Sequence, residues 1–268
     1  MGILNVTPDS FADGGRHFDR DRAVEHGLAM ARQGADVLDV GGESTRPYAR
    51  KVSAEEEKER VVPVISALAR NVSIPISIDT TKAEVARAAV AAGAGMVNDV
   101  SALRFDPDMA AVVAEAGVPV VVMHMKGTPK DMQNAPTYSD LMGEILAFLA
   151  EAVQRAVDAG IPRDFVLIDP GIGFGKTFAH NLQIIRDLGV LGELSRPVVL
   201  GCSRKAFIGA LLEKEPDGRD AGTMAAVALG VMNGTHMVRV HNVAMAVDTV
   251  RMVDAVKRGA MSTTLAGF

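Results

Sequence analysis

One rhythm constrains this chain more than any other feature. Short apolar runs rich in β-branched residues, each ending in Asp, Asn, Gly or Ser, alternate with longer amphipathic stretches from end to end. The pattern predicts strands over residues 3–5, 37–40, 74–78, 96–100, 118–123, 165–168, 198–201 and 237–240. Helices are expected over 20–33, 54–69, 82–92, 108–116, 138–159 and 243–257, where apolar residues recur near every 3.6 positions. Val61, Val64, Ile65 and Leu68 share one such face, and Gly34, Gly93, Gly117 and Gly160 mark helix exits. Eight strands over 268 residues is about 33 residues per unit, the repeat of a (β/α)₈ TIM barrel. A doubly wound sheet uses the same alternation, but no Gly-x-Gly-x-x-Gly turn follows the first strand. No linker or charge block divides the chain, so one α/β barrel domain over residues 1–268 is expected.

Composition narrows the function classes. The hydrophobic share of 48% is enough to fill a large core, which excludes a mostly disordered chain. A net charge of −5 argues against a nucleic-acid partner, and the aromatic share of 4%, without Trp, offers no base-stacking platform. A single cysteine, Cys202, excludes an internal disulfide framework and a multi-cysteine metal site. Nothing reads as a membrane or targeting segment, and a cytoplasmic location is expected.

The polar residues gather at the predicted strand ends. They are Asn5, Asp39, Asp79-Thr80, Asn98-Asp99, His124, Asp169, Ser203-Arg204-Lys205 and Arg239-Val240-His241. In a (β/α)₈ barrel these positions line one mouth. A buried ring of such groups costs desolvation energy unless they are paired or bind a ligand. Asp79, Asn98 and Asp169 suit a planar heterocycle bearing an amino group and a ring N–H, and Lys205 suits its carbonyl or ring nitrogen. Arg239, His241 and Asn5 suit phosphate oxygens, with or without Mg²⁺.

Each residue has a plainer alternative. Asp79 and Asp169 could cap the following helices. Gly171, Gly173 and Gly175 could form a phosphate nest, but fit better as a turn that brings Phe174 to the mouth. His124 is read as structural, Cys202 as a small buried apolar residue, and Met123, Met125 and Met132 as packing. The run Glu55-Glu56-Glu57-Lys58-Glu59-Arg60 is read as a solvated helix face.

The opening Met1-Gly2-Ile3-Leu4-Asn5-Val6-Thr7-Pro8-Asp9-Ser10-Phe11 and the segment from Gly41 to Pro47 resemble the two long signatures of dihydropteroate synthases. Ile78-Asp79-Thr80, Asn98-Asp99-Val100-Ser101, the run from Asp169 to Lys176, Ser203-Arg204-Lys205 and Arg239-Val240-His241 follow in that family's order. The resemblance implies a barrel enzyme of folate biosynthesis, a transferase and sulfonamide target. It would join (7,8-dihydropterin-6-yl)methyl diphosphate to 4-aminobenzoate with Mg²⁺, and work as a homodimer. It implies that Asp79, Asn98, Asp169 and Lys205 hold the pterin, and that Thr45, Arg239 and His241 serve the pterin diphosphate. Asn5 would sit at the metal, and Lys205, Arg239 and His241 would be catalytic. Thr45, Arg46, Pro47, Phe174 and Ser203 would meet aminobenzoate. Loops 11–17 and 46–52 would order over the site. Val247, Val250 and Val253 of the last helix are expected at the dimer contact. Asn242 stands where the family often has Asp, which would weaken an orienting role toward His241. A pterin-binding paralogue without condensation and a corrinoid-linked methyltransferase have less reason to keep the loop from Thr45 to Pro47.

Overall fold

Apolar residues at alternate positions of the short runs face two different surroundings, and that alternation closes a barrel. The computed structural model describes residues 1–7, 16–44, 51–128, 132 and 135–259. The strands are β1 (Gly2–Asn5), β2 (Leu38–Gly41), β3 (Ile76–Asp79), β4 (Met96–Asp99), β5 (Val120–Met123), β6 (Val166–Asp169), β7 (Val199–Leu200) and β8 (Met237–Val238). Between and after them come α1 (Arg16–Arg32), α2 (Ala54–Ala69), α3 (Ala83–Ala91), α4 (Met109–Ala116) and α5 (Leu141–Asp158). The series ends with α6 (Phe178–Arg186), α7 (Ala206–Leu212), α8 (Asp220–Met232) and α9 (Val243–Arg258). The first six strands pair in sequence order, and β7 pairs with β8, all in parallel. Single bridges, Ile168 to Val198 and Gly2 to Val240, complete the circle. This closed parallel topology is the TIM barrel expected from the eightfold rhythm, with β1 fully paired despite its shortness.

Every second residue of a strand points into the barrel. Its floor is an apolar plug of Met1, Val37, Met96, Val121, Leu167 and Val199. The outward set, including Leu4, Val40, Ile78, Val97, Val122 and Ile168, packs against the helices. One pleat above the floor, Ile3, Asp39 and Ser77 stand side by side, and Ser77 is level with Met96 of the floor; two residues further on, Asn5, Gly41, Asp79 and Asn98 form the next row. The inner wall thus changes from apolar to polar within a few residues of the mouth.

Local signals set the helices. α2 begins where expected because Ser53 Oγ accepts from Glu56 N at 3.2 Å and three glutamates occupy the first turn, next to the positive end of the helix dipole. Glu57 departs from the reading of its neighbours as solvated. It lies on the same stripe as Val61, is wholly buried, and pairs with Lys82, which also meets Glu43 at 2.6 Å. The connection from β7 to β8 carries two helices, α7 and α8, in place of one. Arg16 and His17, expected in the first loop, belong to α1. Residues 8–15 and the expected aminobenzoate residues Thr45, Arg46 and Pro47 lie outside the described residues. Val247, Val250 and Val253 pack inward against the core; on α9 the outward apolar residues are Met245, Met252 and Val256.

Candidate active site

The mouth is assembled from strand ends that lie far apart in sequence. Asp79, Asn98, Asp169, Lys205 and Arg239 line one cavity of about 50 Å³, with Val100, Met123, Ile172, Phe174 and Gly201 as its remaining walls. Asp79 and Asn98 are neighbours in register on β3 and β4, and Asp169 ends β6 opposite Met123. Asn5 sits in the same row, and its Oδ1 and Asp79 Oδ2 both lie within 4 Å of the point where a side chain on Gly41 would begin. The glycine keeps that part of the mouth open.

Neither aspartate is a helix cap. Lys82 occupies the cap position of α3, and Thr177 caps α6 by accepting from His180 N at 3.2 Å. That alternative is therefore excluded. Asp169 Oδ1 accepts from Gly171 N at 2.6 Å and shapes the turn, while Oδ2 faces Gly201 across the mouth. Burial pushes the Asp169 carboxyl above its usual range, against the opposing pull of the Gly171 N–H and Lys205. Burial likewise raises Asp79, against Arg239 and with the help of Asp39, Glu57 and Asp99.

Arg239 differs most from expectation. Its Nε donates to Asp39 Oδ2 and its Nη2 to Asp79 Oδ2, both at 2.6 Å. The guanidinium is turned down the barrel onto two carboxylates and is not presented outward to an anion. Burial opposes its charge, yet Asp39 and Asp79 hold it protonated. Lys205 lies with Nζ 4.4 Å above the Phe174 ring. Burial, followed by Arg239, lowers its amine to about 8. Phe174 is thus a wall of this cavity, clustered with Val100, Met123, Met125 and Met132.

His241 stands above this group. Its Nδ1 lies 2.9 Å from Ser203 Oγ, and its backbone N–H donates to the same oxygen at 3.2 Å. Ser203 therefore orients His241. Asn242 does not: its Oδ1 caps α9 at Met245 N, and its Nδ2 donates to Asp220, which also binds Arg204. His236 lies at the opposite end of β8, where it accepts from Val198 N.

Two buried groups beneath the mouth went unassigned in the sequence. Lys176 is 2% exposed, and its Nζ reaches His124 Nδ1 at 2.8 Å and Phe174 O at 3.0 Å. Burial lowers its amine to about 7, and burial with Lys176 lowers His124 to about 2. Together they rivet the Gly-rich turn to the end of β5. Gly171 and Gly175 have φ of 70° and 65°, and a side chain at Gly171 would collide with His124 O. Asp39, wholly buried, is the other. Its position at a strand end was visible, but its partners were not. Cys202 is buried and its thiol is pushed up to about 12, so it packs and does not react.

The described residues contain no group of three or more His, Cys, Asp or Glu that could hold a metal ion.

Against known proteins, the family model described as "Pterin binding enzyme" matches residues 1–241. The dihydropteroate synthase of Escherichia coli (strain K12) is 45% identical over 255 residues, covering 95% of this chain and 90% of that one. Among solved structures, Yersinia pestis dihydropteroate synthase with a sulfonamide drug complex superposes with a TM-score of 0.92. It is 44% identical and covers 96% of this chain and 94% of that one. The Xanthomonas albilineans dihydropteroate synthase with 4-aminobenzoic acid gives a TM-score of 0.91 at 52% identity, covering 96% and 92%.

Proposed function

Since this chain belongs to the pterin-binding enzymes and, within them, to the dihydropteroate synthases, transferases of folate synthesis, we propose how its own residues carry that reaction. The substrates are (7,8-dihydropterin-6-yl)methyl diphosphate and 4-aminobenzoate; the products are 7,8-dihydropteroate and diphosphate. One observation carries the assignment of roles: Asp79, Asn98, Asp169, Lys205 and Arg239 line a single cavity. Asp169 and Asp79 accept from the pterin's amino and ring N–H groups, and Lys205 donates to its carbonyl or ring nitrogen. Phe174, beneath Lys205, supplies an apolar wall for the ring and reaches toward the aminobenzoate side. The long Arg239 and Lys205 side chains line the cavity and would adjust as the pterin enters. Arg239 then gives up Asp79 to the ligand and turns toward the diphosphate.

The bond from the methylene carbon to the diphosphate oxygen breaks, its electron pair leaving with diphosphate while the electron-rich dihydropterin ring supports the carbon. The neutral aryl amine attacks that carbon, forms the C–N bond and releases a proton to water. His241, oriented by Ser203, and Arg239 stabilise the departing anion. Thr45, Arg46 and Pro47 would meet aminobenzoate beside Ser203. Asn5 fits Mg²⁺ in the sparse manner that ion accepts, one protein oxygen with diphosphate oxygens and water. When bound, Mg²⁺ offsets charge on the leaving diphosphate. The test is diphosphate release from both substrates with Mg²⁺. Turnover that requires 4-aminobenzoate is expected; a folded sample that binds pterin yet releases nothing above background would overturn the reading.

A homodimer and a cytoplasmic location complete the proposal. No described helix is long and apolar enough to cross a membrane. Exposed Leu211 and Leu212 on α7, Leu229 on α8 and Leu182 on α6 border an apolar groove of about 340 Å³. Such a contiguous patch suits a second copy of the chain. Leu229→Glu is expected to convert a dimer to a monomer in sedimentation velocity without loss of helical signal; an unchanged sedimentation coefficient places the contact elsewhere.

A further inference from the structure

We propose that Asp39, which lies beneath the pocket, is a positioning residue that fixes the polarity of two ligand-facing side chains. The inference rests on the reading of the mouth as a pterin site. Asp39 points into the barrel two residues before Gly41, level with Ser77 on β3. Its Oδ2 accepts from Arg239 Nε at 2.6 Å and from Asn98 Nδ2 at 3.0 Å. Its Oδ1 has no hydrogen-bond partner among the described residues, and neither does the adjacent Ser77 Oγ.

For folding alone this arrangement is a liability. A carboxylate taken wholly out of water with one oxygen unpaired carries a desolvation cost, and the layer directly below is an apolar plug that a Leu would extend. A group kept at such a cost is explained by what it holds. An amide side chain can turn either end toward a ligand. Because Asn98 commits its N–H₂ to Asp39, its carbonyl oxygen faces the mouth as an acceptor. The pocket then offers an N–H-bearing heterocycle acceptors from Asp79, Asp169 and Asn98, and rejects an edge that presents only lone pairs. By holding Arg239 through Nε, Asp39 also leaves the two Nη groups free to exchange Asp79 for an anion without the side chain losing its anchor.

The test compares Asp39→Asn with the parent, using pterin itself as the fluorescent probe. Asp39→Asn keeps the volume, removes the charge, and lets the Asn98 amide invert. Loss of one or two charge-assisted hydrogen bonds at the pocket predicts pterin binding weakened by roughly 10- to 100-fold. The specificity constant for the pterin diphosphate should fall at least as far, with KM for 4-aminobenzoate nearly unchanged and Tm lowered less than by Arg239→Met, because Arg239 keeps Asp79. In an Asn98→Ala background the effect of Asp39→Asn should shrink, because one of its two routes is gone. Parent-like pterin binding by folded Asp39→Asn would overturn the proposal. Poor folding of both Asp39→Asn and Asp39→Ser would do so too, since Asp39 would then serve the fold and not the ligand-facing side chains. Failure of the pterin reading itself would show in the parent, which would bind no pterin; failure of this inference shows only in the variants.

Discussion

Asp169→Asn should weaken pterin binding by about 100-fold or more while leaving thermal stability close to the parent's. Two charge-assisted hydrogen bonds are at stake, each about 1.5–3 kcal/mol. An Asn at this position can keep its oxygen on the Gly171 N–H, which now meets Asp169 Oδ1 at 2.6 Å. Its amide nitrogen then faces the mouth, where a donor confronts the donors of the ligand. The turn survives and the recognition does not. Burial already disfavours the Asp169 charge, so its removal relieves the fold. There is a second consequence. Asp169 helps hold Lys205 protonated, against the burial and Arg239 that lower its amine to about 8. Without Asp169 the amine falls further, and the basic limb of the residual activity should move to lower pH. Titration calorimetry, scanning calorimetry and a pH–rate profile read the three effects separately. A large stability loss with intact pterin binding would reduce Asp169 to a turn former.

Arg239→Met is expected to damage stability and turnover together. Its guanidinium is the shared partner of Asp39 and Asp79, and breaking a buried ion pair from one side costs about 3–5 kcal/mol. The Arg239 side chain is 20% exposed, so water can reach part of the gap, and about 3 kcal/mol is the expected loss. For a chain of this size that lowers Tm by roughly 6–12 °C near pH 8. The pH dependence has a definite sign. Stranded Asp79 has a folded-state value already above its unfolded one, so it binds a proton more readily in the folded protein. The penalty therefore shrinks as pH falls toward 5 and grows as it rises. Adding Asp39→Asn to Arg239→Met should restore part of the Tm but none of the activity. Equal losses at pH 5 and pH 8 would show that the ion pairs contribute little.

Much of this molecule was legible because its signals are local. α2 begins and ends where the sequence places it, since a Ser cap, three following glutamates and a 3.6-residue stripe all lie within one stretch. Strand limits shifted by a residue or two because the paired segments are short. Apolar flanks such as Ile74 and Val118 pack against the core without joining the ladder. Polar residues closing apolar runs gave the mouth, and Asn5, Asp79 and Asn98 indeed share one row across the sheet. The buried Glu57 shows the limit of reading charge as exposure: its stripe position was visible, but its partner Lys82 at the cap of α3 was not.

The sequence by itself determined which residues share a side of each strand and helix, because alternation and helical period depend only on neighbours along the chain. Only the tertiary structure decided which inward groups meet. Arg239 reaches Asp39 and Asp79 across 200 and 160 residues. Lys176 finds His124 across 52. The Arg239 pairings follow from the stagger of the strands where β8 returns to β1, and the Lys176 contact from the pairing of β5 with β6, conditions of the assembled ring that no short segment encodes. The same closure packs Val247, Val250 and Val253 inward and leaves Leu211 and Leu229 outside, since the face a helix hides depends on where the barrel lies.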